Sequence, residues 1–299
     1  MKLLVTGAWK CTQEQLDELK NLGHNLVFMQ NEKDVLPCDY ADVEAVICNG
    51  LFLYHPIEKF KSLQYIQLTS AGFDRVPMDY VNSRRIEIRN ARGVYSIPMA
   101  EFAVSGVLAI YKQLSFFLNN QKKGIWQKHR EITELCGKNV LIIGCGNVGT
   151  ECAKRFSAFG CRVIGVDLFP NKNECYEKIL PISEIDISLS QANIVILTLP
   201  LTEETRHMMN AQRFDAMKDG SVLVNIARGA VVENEALERA LDEKLLGAVL
   251  DVFEEEPLPE SSALWQKSNV IITPHNSFVG DGNAERLWRV IYDNLEKLL

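Results

Sequence analysis

The chain has 299 residues, 47% hydrophobic and 24% charged, enough for two ordinary globular domains with buried cores. Its formal net charge of −7 speaks against a general nucleic-acid binder, which needs a basic face, yet leaves room for a local basic site on a small anion. No run approaches a membrane span, the apolar start is too short for a secretory leader, and eight cysteines without a CxxC pair or zinc spacing read as reduced thiols in a cytoplasmic, metal-free protein.

The first third of the chain alternates short apolar runs with amphipathic stretches. Leu3 to Val5 predicts a strand. Thr12 to Leu22 predicts a helix with Thr12 as N-cap and Gln15 three residues on. Asn25 to Met29, Ala45 to Cys48, Tyr65 to Leu68 and Ile86 to Arg89 follow as strands, a βα alternation that calls for a parallel sheet with covering helices. Pro98 opens one long helix, on which Phe102, Ala103, Val107, Ile110, Leu114 and Phe117 keep helical spacing. The crossing into a second domain falls just before it, and polar sequence runs from Asn119 to Glu134.

A second βα series begins at Val140. Its strands are Val140 to Ile143, Arg162 to Val166, Ile194 to Leu199, Val222 to Asn225, Ala248 to Leu250 and Val270 to Thr273. Helices are predicted over Val148 to Phe159, Ser183 to Ser190, Ala211 to Met217 and Glu235 to Asp242. The last amphipathic stretch, Ala284 to Leu299, is long enough to return to the first domain.

The strand Val140 to Ile143 runs into Gly144-Cys145-Gly146-Asn147-Val148-Gly149 and then a helix. Gly144 permits a tight turn, Gly146 lets a pyrophosphate approach the backbone, and Gly149 lets helix and strand pack closely. The helix N-terminus offers N–H groups to phosphates. Alone this pattern also fits a bare packing turn. The next strand, however, ends at Asp167, where a carboxylate can bond the adenosine ribose and repel a 2′-phosphate, favouring NAD over NADP. Lys172 lies near enough to help a phosphate.

Ligands of an open parallel sheet bind beyond the carboxyl ends of its strands. There the sequence places Pro200 to Thr205, Ile226-Ala227-Arg228-Gly229, Asp251 followed by Glu254-Glu255-Glu256-Pro257, and Pro274-His275-Asn276-Ser277. Each alone reads as a solvated loop or a satisfied histidine. Together they suit reduction of a 2-oxo acid: arginine grips a carboxylate with a fixed fork of donors, histidine gives and takes the proton, and a carboxylate orients the imidazole. Among the other histidines, His24 stands at a strand start, His129 in a polar stretch and His207 at the beginning of a helical region. His55, in a first-domain loop, competes as the acid.

These segments resemble the D-isomer-specific 2-hydroxyacid dehydrogenase family over nearly the whole chain. The resemblance implies two Rossmann- or flavodoxin-like α/β domains with parallel sheets and a deep interdomain cleft. Residues 1–94 with 279–299 would form a discontinuous substrate domain, and 95–278 the NAD-binding domain. It implies that Arg228 orients substrate, Glu256 supports His275, and His275 is the general acid/base. It also implies that Asp251 faces the nicotinamide carboxamide. Gly144, Gly146, Asn147, Val148, Gly149, Asp167, Leu199, Pro200, Thr205, Ala227, Arg228, His275 and Ser277 line the cofactor on this reading. Ser70-Ala71-Gly72 resembles the family's carboxylate-binding turn, with Tyr95 and Met99 near the crossing. A homodimer built through the nucleotide domain, with the helix from Pro98 as its main contact, is a further implication, as is the absence of the serine-sensing domain of some phosphoglycerate dehydrogenases.

The chain departs from the pattern after the histidine, where Asn276-Ser277-Phe278 replaces two glycines and Phe278 narrows the pocket. An NAD-sensing protein without turnover and a dehydrogenase of another small anion stay open, though Glu256 speaks against formate. A thiol-dependent enzyme using Cys145 is a weaker alternative. The acid itself is open among glyoxylate, hydroxypyruvate, pyruvate, a branched 2-oxo acid and 3-phosphoglycerate.

Overall fold

The computed structural model describes residues 1–298. It divides into two compact units, Met1–Tyr95 with the segment from Gly280 onward, and Ser96–Val279. In the first, strands β1 (Lys2–Thr6), β2 (Asn25–Met29), β3 (Ala45–Cys48), β4 (Tyr65–Leu68) and β5 (Glu87–Arg89) pair in parallel in the order β2-β1-β3-β4-β5, the flavodoxin-like arrangement. Helix α1 (Gln13–Asn21) starts with the capping box anticipated from sequence: Gln15 N donates to Thr12 Oγ1 at 3.2 Å, and Thr12 N donates to Gln15 Oε1 at 2.9 Å. Helix α2 (Met78–Arg84) is an addition to the sequence reading. The C-terminal helix Asn283–Glu296 buries Leu287, Ile291 and Leu295 among Leu3, Val5 and Ile47 of this sheet, and its Trp288 stacks on Trp9 at 5.5 Å.

The second unit opens with α3 (Ser96–Tyr111) and α4 (Leu114–Lys122), bent by 68° where one continuous helix was expected. Gln113 at φ 54° makes the break. It follows Lys112, whose Nζ reaches back to Thr133 O, and neither glycine nor proline marks the site. The sheet contains β6 (Asn139–Ile143), β7 (Arg162–Asp167), β8 (Lys178–Pro181), β9 (Ile194–Leu197), β10 (Val222–Asn225), β11 (Gly247–Leu250) and β12 (Val270–Ile272). All pairs are parallel, in the order β12-β11-β10-β9-β6-β7-β8, the dinucleotide-binding order extended by one strand. Helices α5 (Asn147–Ala158), α6 (Ile185–Leu189), α7 (Ala211–Ala216) and α8 (Asn234–Glu243) cover it.

The apolar runs that signalled strands are explained by this double covering. Leu141, Ile143, Val195 and Leu197 point into one core, while their neighbours Val140, Ile142, Ile194 and Ile196 point into the other. All eight are 2% exposed or less, each adding about 1.5–3 kcal/mol of burial. Gly106 of α3 lets the helix lie on β11, because a Cβ there would fall 2.6 Å from a methyl of Val249.

Candidate active site

All seven parallel strands of the second unit end on one edge, and the candidate residues leave from six of those ends. After β6 the three glycines of the turn differ in what a side chain would meet. Gly144 adopts φ +97°, and a Cβ would lie 2.8 Å from Leu199 N. A Cβ on Gly149 would lie 2.2 Å from Gly144 O, so helix and strand meet only through glycine. A Cβ on Gly146 meets nothing within 4 Å, so the backbone there is open to an approaching group. Gly146 caps α5 without a side-chain bond, and Asn147 beside it is exposed. Asp167, at the end of β7, accepts Cys145 N at 2.6 Å through Oδ2 and Phe169 N at 2.9 Å through Oδ1. A turn open at Gly146, with helix N–H groups ahead of it and a carboxylate at its flank, fits a dinucleotide.

Cys145 turns its thiol inward, toward Ile142 O and Val166 O, under the turn. Burial pushes that thiol up to about 12, so it is protonated at neutral pH and the thiol-nucleophile alternative loses its reactive species. All eight cysteines are free thiols.

After β9, Thr205 closes its own loop. Its Oγ1 donates to Pro200 O at 2.8 Å and accepts Thr202 N at 2.7 Å. Thr205, Leu199 and Ala227 are buried, while Pro200 is exposed. His207, expected to begin a helix, lies instead in irregular chain at φ 49°, pinned by its N–H to Ala230 O at 2.8 Å.

The loop after β10 carries Arg228. Asn225, buried at the strand end, accepts Ala227 N at 3.1 Å and donates to Arg228 O at 3.1 Å, which fixes the backbone around the arginine. The Arg228 guanidinium donates to Ala227 O at 2.8 Å and is half-buried.

After β11 the acidic run is not a loose solvated loop. Glu256 accepts Phe253 N at 3.0 Å through Oε1, while Oε2 lies 2.9 Å from His275 Nδ1. Glu254 accepts His207 Nε2 at 2.9 Å and Asn234 Nδ2 at 3.3 Å. Asp251 is wholly buried. Its Oδ1 accepts Thr273 Oγ1 at 2.6 Å and Asn276 N at 2.7 Å, and its Oδ2 accepts Ser277 N at 2.9 Å. It also takes His275 N on its carbonyl at 2.7 Å. This carboxylate therefore fastens the histidine loop.

His275, at φ 50°, has a side chain 43% exposed, with the ring of Phe278 edge-on at 6.2 Å. A carboxylate accepts only, so Nδ1 carries the proton shared with Glu256. His55, the competing acid, is 5% exposed, with both ring nitrogens engaged, by Tyr40 Oη at 2.7 Å and Glu32 O at 2.9 Å.

In the first unit, the turn after β4 uses its carbonyl groups internally. Ser70 O accepts Ala91 N at 2.9 Å, Ala71 O accepts Asn90 Nδ2 at 2.5 Å, and Ser70 Oγ donates to Gly72 O at 3.1 Å. Tyr95 is half-buried and its hydroxyl donates to Thr69 O.

The family model described as the NAD binding domain of D-isomer specific 2-hydroxyacid dehydrogenases matches residues 104–277. A hydroxypyruvate reductase of Thermotoga maritima is 35% identical over 248 residues, 81% of this chain and 78% of its own length. A D-isomer specific 2-hydroxyacid dehydrogenase from Xanthobacter autotrophicus, solved with NADPH and MES, matches at a TM-score of 0.81 and 26% identity, covering 99% of this chain and 94% of its own. The D-lactate dehydrogenase of Aquifex aeolicus, solved with NAD and lactic acid, matches at 0.77 and 26% identity, covering 99% and 95%.

Proposed function

Because the chain belongs to the D-isomer-specific 2-hydroxyacid dehydrogenase family, we propose that it moves a hydride between NAD(H) and C2 of a small 2-hydroxy or 2-oxo acid, with D stereochemistry. The observation that carries this reading is the 2.9 Å bond between His275 Nδ1 and Glu256 Oε2, on a loop pressed against the Arg228 loop at Gly229.

Arg228 holds the substrate carboxylate and polarises the neighbouring carbonyl. In reduction, His275 releases the Nε2 proton to the C2 oxygen as negative charge develops there; in oxidation it accepts that proton. Glu256 fixes the ring tautomer through Nδ1. Asp251 keeps the loop of His275 and Ser277 in place. The nicotinamide, when bound, supplies or takes up the hydride. The turn 144–149 would hold its diphosphate and Asp167 its adenosine ribose, while Leu199, Pro200, Thr205 and Ala227 shape the walls. The negative charge of Asp167 favours NAD over NADP, whose 2′-phosphate it repels.

We assign residues 95–278 to the nucleotide and residues 1–94 with 279–299 to the substrate. In the latter, Ser70, Ala71 and Gly72 offer backbone N–H groups to an anion, with Tyr95 fixing the chain beyond them. The protein is proposed to be a cytoplasmic homodimer. Helix α4 buries none of its residues and the following Trp126 is 98% exposed, an apolar surface suited to a second copy.

A steady-state screen of glyoxylate, hydroxypyruvate, pyruvate and a branched 2-oxo acid, with NADH and NADPH, tests the reading; 3-phosphoglycerate is assayed with the oxidised cofactors. The expected result is turnover of at least one acid, faster with NAD(H), giving a D-2-hydroxy acid in reduction. Tight NADH binding with no turnover would identify an NAD sensor instead.

A further inference from the structure

Among the described residues, only Arg85, Gln113, His207 and His275 have positive φ without being glycine. For a side chain this backbone is uncommon and costs energy that its surroundings must offset. The two histidines of this set, at φ 49° and 50°, are the two that pair with the acidic run, His207 with Glu254 at 2.9 Å and His275 with Glu256 at 2.9 Å. One three-residue run is thus strapped to a histidine at each end.

The connections between the straps are short. Glu254 is held by His207 and, at 3.3 Å, by Asn234. Its neighbour Phe253 donates its N–H to Glu256 Oε1 at 3.0 Å, and the other oxygen of Glu256 meets His275. The backbone of Phe253 and Glu254 lies flat on Gly229, so the loop has a floor, and the His207 bond pins its side. His207 itself is anchored through its N–H to Ala230 O at 2.8 Å, on the loop that carries Arg228.

We propose that His207 is a positioning residue for the acid/base pair: its bond to Glu254 sets the loop so that Glu256 stays on Nδ1 of His275, leaving Nε2 for the substrate. An isolated surface ion pair contributes little to stability, so the effect falls on geometry rather than on folding. The kinetic part of this inference rests on the hydride-transfer reading above; the structural part does not.

The test compares His207→Gly with His207→Gln. Glycine relieves the positive φ and removes the bond. Glutamine places an amide donor where Nε2 was, and Gln113 shows that this chain holds a glutamine at φ 54°. Two readouts are taken: kcat and KM for a turned-over 2-oxo acid, and the ¹⁵N shifts of the His275 ring at a pH where it is neutral, assigned by their loss in His275→Ala. The expected result for His207→Gly is a kcat lower by about tenfold with both KM values changed less than about twofold, and a His275 tautomer shifted from Nδ1–H toward Nε2–H. His207→Gln is expected to keep the wild-type tautomer and most of the wild-type kcat. An unchanged tautomer in His207→Gly, or equal loss in both variants, overturns the proposal. A wild-type protein that turns over no acid yet shows this tautomer pattern would refute the catalytic reading and leave the positioning role standing.

Discussion

Gly229 lies against Phe253 so closely that a Cβ would fall 1.8 Å from the Phe253 carbonyl carbon. The loop bearing Arg228 and the loop bearing Glu256 therefore touch backbone to backbone, a contact only glycine allows. Gly229→Ala must push the two loops apart. The expected cost is about 1–3 kcal/mol of stability, the scale of overpacking a tight site, with a larger proportional loss in kcat than in NADH affinity. Urea unfolding and steady-state kinetics on the same sample check this; wild-type values for both would show that the loops do not depend on each other.

Asp251 joins the histidine loop to β11 through three accepted bonds. Removing the carboxylate strands two N–H groups and a hydroxyl, at about 1–3 kcal/mol for each one left buried without a partner. Asp251→Ala is expected to unfold at distinctly lower urea and to lose most turnover. A stable, active variant would mean that other groups hold His275.

The Cys145 thiol, pushed up to about 12 by burial, is predicted to react slowly with iodoacetamide at neutral pH. Cys136 is exposed and is expected to be labelled first. Mass spectrometry of partly labelled protein gives the order, and Cys145→Ala should retain turnover. Loss of turnover in a folded Cys145→Ala protein would revive a thiol mechanism.

His24 is 3% exposed and neither ring nitrogen has a partner. Burial, with a smaller contribution from the N-terminal ammonium, holds its imidazole below the ordinary value of 6.5. Between that lowered value and 6.5 the unfolded chain binds a proton that the folded chain refuses. Stability is then complete above about 6.5 and declines as the pH falls below it. His24→Leu should flatten that decline; an identical pH dependence of the urea midpoint would rule out His24 as its source.

Much of the second unit was legible because a parallel sheet covered on both faces leaves unbroken apolar runs, as at Val140–Ile143 and Ile194–Leu197. Strand β8 escaped notice because Lys178–Pro181 is a short edge element ending in proline, with only its inner residues apolar. The break at Gln113 was hidden because the apolar spacing continues through it. Within the site, the sequence placed Arg228, Glu256 and His275 beyond the strand ends, where the structure has them, but not how the carboxylates share the hydrogen bonds there. A buried carboxylate that fastens a loop and an exposed one that pairs with a histidine look alike beyond a strand end, and burial separates Asp251 from Glu256. The pairing of His207 with Glu254 spans 47 residues and left no local signal.

The most direct test of the proposed chemistry is the His275→Ala variant assayed beside wild type for NADH oxidation with the best 2-oxo acid, with NADH binding measured separately by fluorescence. A fall in kcat of ~10²–10⁴-fold, the scale of a lost general acid, with NADH affinity nearly unchanged, is the predicted result. Turnover at the wild-type rate would contradict the account, because the proton would then come from a group other than this imidazole.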